Sequence, residues 1–431
     1  MEISRTEIMN GVALTYARTF KFKTASMSIS LLTQLQRETA SMNALIPFVL
    51  RRGTVQYKDM DAISDRLDEL YGTVIEPSVR RYGEIQSLGF YASFPEDRFL
   101  PDWQSVLHDT AELMGQLLLY PVTRGGLFLP EYVDSEREKM LDTIRSVVND
   151  KRSYAVKRCM EEMCCFEDFA TPAIGTESEC EAIRYKKLTQ RYRELIRSCP
   201  VEIFYCGRAD KDEVVRAIQD ALYSMPRGEI DYDIGTDVRM NSVEEQPRYV
   251  EEEMDVSQGK LVMGFRLGAV MEEPDIAALN VFNYLFGGGS TSKLFTNVRE
   301  RLQLCYYASS AVNTHKGLLL VSSGIDFDRF EDAKNEILAQ LDEMRNGNIS
   351  NDEFFSAMAG ISSELRSYVD NPAMLESFMM SQTLRGLEYG PMELAEFVQD
   401  LVKEDIIRVA QSVELDMVYF LKGGGEAEDD E

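Results

Sequence analysis

The same order of predicted secondary-structure elements occurs twice along the chain, and any fold must accommodate this duplication. Apolar alternation predicts strands, and a 3.6-residue apolar period predicts helices. In the first half, strands are predicted at 12–16 and 26–32, helices at 39–50 and 59–71, strands at 73–80 and 85–94, a helix at 131–149 and a strand at 201–206. In the second half, strands are predicted at 249–254 and 259–267, helices at 274–286 and 294–302, strands at 305–311 and 317–324, helices within 327–411 and a strand at 417–421.

Runs of strands followed by runs of helices indicate an α+β fold. We expect two homologous domains, each an antiparallel-rich sheet covered by helices, that face each other as a clamshell. The segment 224–247 has no sustained period and contains Pro and Gly, as linkers do. The predicted divisions are an N-terminal domain 1–223, a linker 224–247, a C-terminal domain 248–425 and an acidic tail 426–431.

The charge of the chain limits its partners. With 431 residues and a net charge of −27, the protein would repel nucleic acid and anionic membrane surfaces and would attract a basic peptide. The first residues are polar, and no apolar stretch approaches the length of a membrane span. We therefore expect a cytoplasmic protein without contact to membrane or nucleic acid.

The cysteine pattern does not predict a metal site. The 7 cysteines are an odd number in a long chain, which is typical of reduced thiols. Cys159, Cys164 and Cys165 are close in sequence but lack the paired CxxC spacing of a zinc site. Buried apolar thiols are the expected alternative.

The segment 286–312, FGGGSTSKLFTNVRERLQLCYYASSAV, carries the most specific motif. A run of glycines precedes an amphipathic helix that carries Arg299, and Tyr306 follows that arginine by seven positions. The glycines do not match a phosphate-binding GxxxxGK[ST] loop. This window resembles the second-half motif of the pitrilysin/insulinase-like metallopeptidases, above all the processing-peptidase subfamily, and the duplicated element order extends the resemblance over nearly the whole chain.

The resemblance implies that Arg299 and Tyr306 contact a peptide, and that Gly287, Gly288 and Gly289 belong to the same substrate-binding element. An arginine presents a planar fork of donors to carbonyl or carboxylate oxygens, and a tyrosine adds a hydroxyl and a ring face. Without the resemblance, the same two residues would suggest a surface ion pair and a tyrosine at the edge of the core.

Catalytic members of this family carry an HxxEH zinc motif, in which two histidines bind zinc and the glutamate activates water. A Gly-Thr pair follows the motif, and here Gly53 and Thr54 retain it. Counting back from this pair places Ala44, Pro47 and Phe48 at the motif positions. The third ligand, a glutamate in the family, falls at about Arg145. No HxxEH can be written, because the 2 histidines are His108 and His315. We expect no metal, no cofactor and no catalytic residue.

Pro47 provides a further expectation for the first of these helices. An internal proline removes a helix hydrogen bond and clashes with the preceding turn, at a cost of about 3 kcal/mol. We therefore expect the helix to bend or to end early.

In the processing-peptidase branch, a zinc-bearing subunit often pairs with a relative that lacks zinc. The resemblance thus implies a heterodimer with a zinc-bearing HxxEH relative that processes a peptide, with this chain as its non-catalytic subunit and the assembled pair as a zinc metalloendopeptidase. Similar bacterial relatives are associated with 5-aminopentanol modification of elongation factor P, which suggests a link to that pathway. Two alternatives stay open: a peptide-binding or scaffold protein without a peptidase partner, and a peptidase with a relocated metal site.

Overall fold

The computed structural model describes residues 1–101, 105–242, 244–268 and 273–424. The predicted acidic tail, 426–431, lies outside these ranges. The first half contains eight strands and eight α-helices within the described ranges. These are β1 (Glu2–Met9), β2 (Val12–Arg18), β3 (Thr24–Gln34), α1 (Arg37–Leu50), α2 (Met60–Glu69), β4 (Val74–Tyr82), β5 (Ile85–Pro95), α3 (Val106–Leu119), β6 (Thr123–Arg124), β7 (Leu127–Phe128), α4 (Pro130–Ser146), α5 (Lys151–Met163), α6 (Glu177–Glu181), α7 (Tyr185–Ser198), β8 (Val201–Gly207) and α8 (Lys211–Leu222).

The second half contains the remaining strands and helices and two π-helical segments. These are β9 (Arg248–Met254), β10 (Gly259–Arg266), α9 (Glu273–Asn283), the π-helical turn Tyr284–Gly288, the π-helix Leu294–Arg301, β11 (Tyr307–Asn313), β12 (Leu318–Ile325), α10 (Phe330–Arg345), α11 (Asn351–Ser367), α12 (Pro372–Leu384), α13 (Pro391–Gln399), α14 (Lys403–Ser412) and β13 (Glu414–Gly423).

The two main sheets share one topology. The first has the strand order β1-β2-β8-β3-β5-β4, and the second has β9-β13-β10-β12-β11 when it is followed from the opposite edge. In the first sheet, β2 and β8 are parallel, and in the second, β13 and β9 are parallel. The strands next to these pairs, β3 and β10, run antiparallel to β8 and β13. The predicted α+β class with two antiparallel-rich sheets is therefore confirmed. The sequence did not predict β1, whose largely polar residues pair with β2 at the sheet edge.

The described residues form two compact units, and each takes one segment from the other half of the chain. The first unit comprises Met1–Arg145, Thr171–Thr236 and Asp370–Leu384; the second comprises the described residues of Ser146–Ala170, Asp237–Val369 and Arg385–Glu431. Within the second unit, α5 packs on β10 and β13, and within the first, α12 packs on β3 and β8. The predicted division into 1–223 and 248–425 describes two homologous halves of the sequence and stays a prediction. The compact units are a different division, because each includes a segment from both halves.

Strand β3 shows why a helix from the other half is needed. Its alternating Ser and apolar residues predict one polar face, yet Ser26, Ser28 and Ser30 are as buried as the apolar side chains between them. Ser28 donates a hydrogen bond of 3.1 Å to Glu376, a residue of α12. The small polar face is thus covered by a helix and not by solvent.

The segment 224–247 forms no helix and no strand before β9 within its described part, and its role as a linker stays a prediction. Its residues up to Thr236 belong to the first unit. The side chain of Thr236 accepts a hydrogen bond of 2.9 Å from the backbone N–H of Glu84, and the N–H of Gly235 donates to Gln34. Within the described ranges, no helix has both the length and the apolar character that a membrane crossing requires.

Candidate functional site

The π-helix Leu294–Arg301 places Arg299 at the surface. Leu294 and Val298 are fully buried and hold one side of this helix in the core of the second unit. The Arg299 guanidinium lies over the ring of Phe295, 4.9 Å from its centroid, and Nε is 3.5 Å from a carboxylate oxygen of Glu300. The arginine side chain is 43% exposed, so most of its donors remain available to a ligand.

The chain then turns sharply into β11. Gln303 adopts a positive φ of 51°, and the N–H of Leu304 donates to the carbonyl of Val298, which closes the helix end. Leu302 caps the end of this helix and is 43% exposed. The turn brings Tyr306 beside the helix end that carries Arg299.

Arg299 and Tyr306 line one open pocket of about 410 Å³, together with Glu300, Gln303, Leu304, Cys305 and Asp326. Tyr306 is 60% exposed, and its hydroxyl donates a hydrogen bond of 3.0 Å to Asp326. This hydrogen bond raises the pKa of Tyr306, so the hydroxyl stays protonated at neutral pH and can also accept a bond from a ligand N–H. The pocket therefore offers a cationic donor, an aromatic face and two carboxylates.

Gly287, Gly288 and Gly289 are not among the residues that line this pocket. Gly287 and Gly288 lie in the π-helical turn that follows α9, and Gly289 ends it by donating its N–H to Tyr284 at 2.9 Å. A Cβ on Gly287 would come within 2.7 Å of the backbone nitrogen of Ser310 in β11. A close approach of backbones thus requires this glycine, and a substrate-binding role of the three stays a prediction.

The positions assigned to the zinc motif from the sequence lie on α1, in the first unit. Ala44 is fully buried, Pro47 is buried and Phe48 packs against the core. The helix continues past Pro47 to Leu50, so it does not end early, and the alternative expectation of a bend stays a prediction. Proline lacks only its own N–H, and the N–H of Arg51 still bonds to the carbonyl of Pro47 at 3.1 Å.

Arg145, near the third ligand position, faces solvent on α4. Its guanidinium binds Glu177 at 2.6 Å and Glu181 at 3.1 Å, both of α6, and Arg37 of α1 binds Glu179 of the same short helix. An acidic helix thus connects α1 and α4 by ion pairs. Among the described residues, no group of three His, Cys, Asp or Glu side chains is arranged to hold a metal ion.

Two carboxylates of α4 that precede Arg145, Glu136 and Glu138, differ in their surroundings. Glu136 is 6% exposed and binds Arg52 at 3.1 Å and Lys139 at 2.7 Å, whereas Glu138 is exposed. Arg52 also lies over the ring of Tyr132, 4.7 Å from its centroid. The buried carboxylate of Glu136 therefore forms ion pairs with two cations.

Sequence reasoning did not single out Asp326 or Glu300, the acidic residues of the Arg299–Tyr306 pocket. Asp326 directly follows β12, and the short 3₁₀ turn Phe327–Arg329 begins after it. Such a position is typical of a helix cap, and this signal alone would not have placed it beside Tyr306.

Several curated proteins are similar in sequence to this chain over two thirds of its length or more. The protein named "Probable inactive metalloprotease YmfF" from Bacillus subtilis is 32% identical over 415 residues, which cover 96% of each chain. An "Uncharacterized zinc protease" from Rickettsia bellii is 20% identical and covers 69% of this chain and 71% of its own. The family model described as "Peptidase M16 inactive domain" matches residues 182–361.

Solved structures share the fold. A conserved protein from Enterococcus faecalis has a TM-score of 0.88 at 26% identity, and the match covers 98% of this chain and 99% of that one. A peptidase M16 inactive domain from Pseudomonas fluorescens has a TM-score of 0.78 at 14% identity, with 98% of each chain covered. These relatives show that the chain belongs to the pitrilysin/insulinase-like (M16) metallopeptidase family, as an inactive homologue.

Proposed function

We propose that this protein is a non-catalytic subunit that binds an extended peptide through Arg299 and Tyr306 and pairs with a zinc-bearing HxxEH relative. The observation that carries the proposal is the shared pocket of these two exposed residues, which are seven positions apart in the sequence. A peptide carbonyl would accept from the arginine, and a peptide N–H would donate to the tyrosine hydroxyl. The substituted positions Ala44, Pro47 and Phe48 support a partner as the source of zinc chemistry.

The acidic residues of the pocket support a basic peptide as the ligand. Glu300 is 56% exposed beside Arg299, and Asp326 already accepts from Tyr306. A lysine or arginine of the peptide would find a carboxylate close to the donors that hold its backbone. The net charge of −27 would also attract such a peptide from solution.

The experiment compares the double variant Arg299→Ala, Tyr306→Phe with the matched control Arg301→Ala. Arg301 lies on the same π-helix and is 63% exposed, but it does not line the pocket. Binding of a fluorescent basic peptide to the chain alone, and turnover by the chain reconstituted with a zinc-bearing relative, are measured. The double variant should lose about tenfold or more in both, as expected for a lost bond to a charged donor. Unchanged binding and turnover would show that the assigned role is wrong.

Affinity purification of the chain from its own cells distinguishes the partner from the alternative function. A zinc metallopeptidase of the same family should copurify in a stoichiometric amount. If peptide binding depended on Arg299 and no metallopeptidase copurified, the chain would instead be a peptide-binding scaffold. The cytoplasmic location and the link to elongation factor P modification stay predictions that rest on the sequence and on the resemblance.

A further inference from the structure

A second cavity lies in the first unit, where β5 and β8 end and α3 and α8 begin. Its volume is about 260 Å³, and Phe94, Leu107 and Ala209 provide apolar wall. The ring of Phe20, which is 61% exposed, also lines it. A cavity of this size is smaller than the roughly 300–1,000 Å³ of sites for drug-sized ligands, so it suits one side chain.

Glu96 lines this cavity and is only 7% exposed. Its Oε1 accepts a hydrogen bond of 2.6 Å from the backbone N–H of Arg208, and among the described residues no donor reaches Oε2. Oε2 is therefore free to accept a hydrogen bond from a group that enters the cavity. Burial raises the pKa of Glu96. The hydrogen bond from the Arg208 N–H and the positive charge of the Arg208 side chain lower this pKa, but burial has the larger effect.

Two neighbouring charged groups, those of Arg208 and Asp97, form hydrogen bonds with backbone groups. The Arg208 guanidinium donates to the carbonyls of Phe20 and Phe22 and lies over the rings of Phe20 and Phe99. Asp97 accepts from the N–H of Val106 at 2.8 Å.

The remaining charges of the lining lie nearer to solvent. Asp210 is 72% exposed and pairs with Arg18 at 2.6 Å. Arg98 is exposed, and Glu213 is half-buried. Glu96 is therefore the carboxylate of this cavity that combines deep burial with a free oxygen.

We propose that this cavity binds a lysine side chain of a protein or peptide partner, with the lysine ammonium on Glu96. The apolar wall matches the alkyl stem of lysine, and the free Oε2 matches its ammonium. An arginine would use its paired donors best on two free oxygens, but Oε1 already accepts from Arg208. This site is separate in its residues from the Arg299–Tyr306 pocket and does not depend on the function proposed above.

The test titrates the full chain with small probes near neutral pH, observed by calorimetry or NMR. The probes are acetyl-Gly-Lys-Gly-amide, the same peptide with an acetylated lysine ammonium, the same peptide with arginine, Gly-Gly-Gly-amide with a free N-terminus, and butylamine. The lysine peptide should bind, the acetylated peptide should not, and the arginine peptide and the free N-terminus should bind more weakly. Butylamine should compete with the lysine peptide, because it carries the same alkylammonium.

The deciding variant is Glu96→Gln, which keeps an oxygen for the Arg208 N–H but loses the charge. It should weaken binding of the lysine peptide by at least about tenfold. Glu131→Gln is the matched control, since Glu131 is 51% exposed, pairs with Arg124 and does not line the cavity. Ala209→Leu, which fills the cavity without altering charge, should also abolish binding and keeps the test decisive if Glu96→Gln fails to fold.

Four outcomes would overturn the proposal. These are no binding of the lysine peptide at millimolar concentration, equal binding of the acetylated peptide, stronger binding of the arginine peptide or the free N-terminus, and unchanged affinity in a folded Glu96→Gln chain.

Discussion

Glu167 is the residue that balances two buried cations in the second unit. Its carboxylate oxygens lie 2.7 Å from the guanidinium of Arg266 and 2.7 Å from the ammonium of Lys316, and both cations are 0% exposed. Asp416 accepts a further bond of 2.9 Å from Arg266. Charges this deep are tolerated only because each meets an opposite charge at hydrogen-bonding distance.

The first prediction concerns the removal of this carboxylate. Glu167→Gln should lower the free energy of unfolding by about 3–5 kcal/mol, because positive charge is left in excess in the interior. Urea unfolding followed by circular dichroism measures the change. The control Glu253→Gln removes a carboxylate that is 63% exposed and lies 3.5 Å from Lys422, and should change stability by less than about 1 kcal/mol. Equal effects of the two substitutions would contradict the prediction.

The second prediction concerns pH. Burial raises the pKa of Glu167, but hydrogen bonds from Arg266 and Lys316 outweigh burial, and the pKa lies below the ordinary value of 4.5. As pH falls, the unfolded chain binds a proton here before the folded chain does. The contribution of Glu167 is therefore complete well above pH 4.5 and is lost as pH falls through the lower folded value. The difference in urea midpoint between wild type and Glu167→Gln should shrink below pH 4.5, and a constant difference would exclude this account.

At the scale of elements, one π-helical segment contributes residues to the Arg299–Tyr306 pocket, and a second one lies against the same strand without lining the pocket. The segment from Tyr284 to Gly288 widens the end of α9, and the helix from Leu294 to Arg301 delivers Arg299. Single π-turns occur often at functional sites. Both segments pack against β11, whose neighbouring residue is Tyr306.

The third prediction tests whether Gly287 serves packing or substrate. Gly287→Ala should destabilise the protein by about 1–3 kcal/mol, because its Cβ would lie 2.7 Å from the backbone nitrogen of Ser310 and from a methyl group of Leu294. Gly235→Ala is the control, since nothing lies within 4 Å of the added Cβ. Thermal unfolding and binding of a basic peptide are measured together. A loss of peptide binding without a loss of stability would instead support the substrate-binding role that the resemblance implies.

At the scale of the whole molecule, each compact unit depends on a segment from the other half of the chain. In the first unit, Glu376 of α12 is 2% exposed and is held by Ser28 of β3 and Arg80 of β4. In the second, Cys159 and Met163 of α5 belong to the same buried cluster as Tyr419 of β13. These contacts are part of the two cores.

The fourth prediction follows from this exchange. The fragments 1–236 and 237–431, expressed separately, should lack cooperative thermal unfolding, because the first loses α12 and the second loses α5 and Glu167. Coexpression of the two fragments should restore a soluble, cooperatively folded complex and serves as the control. Cooperative unfolding of fragment 1–236 alone would show that α12 is not required.

The cysteines illustrate how far sequence patterns reach. Cys159 and Cys164 are buried, as the interpretation as apolar thiols predicts, and burial raises the pKa of Cys164 to about 12. Cys165, the next residue, is exposed. Neighbouring residues at a helix end point in different directions, so burial of one says little about the other.

Local patterns by themselves determined the duplicated sheets, the absence of an HxxEH motif and the spacing of Arg299 and Tyr306. Alternation, helical period and motif spacing are properties of neighbouring residues, so they can be read without knowledge of distant contacts. Tertiary structure alone decided that α12 covers the serine face of β3, that Glu96 keeps a free oxygen in a cavity, and that Glu167 lies between two buried cations. Each of these depends on residues far apart in the chain, because burial and charge pairing are set by packing.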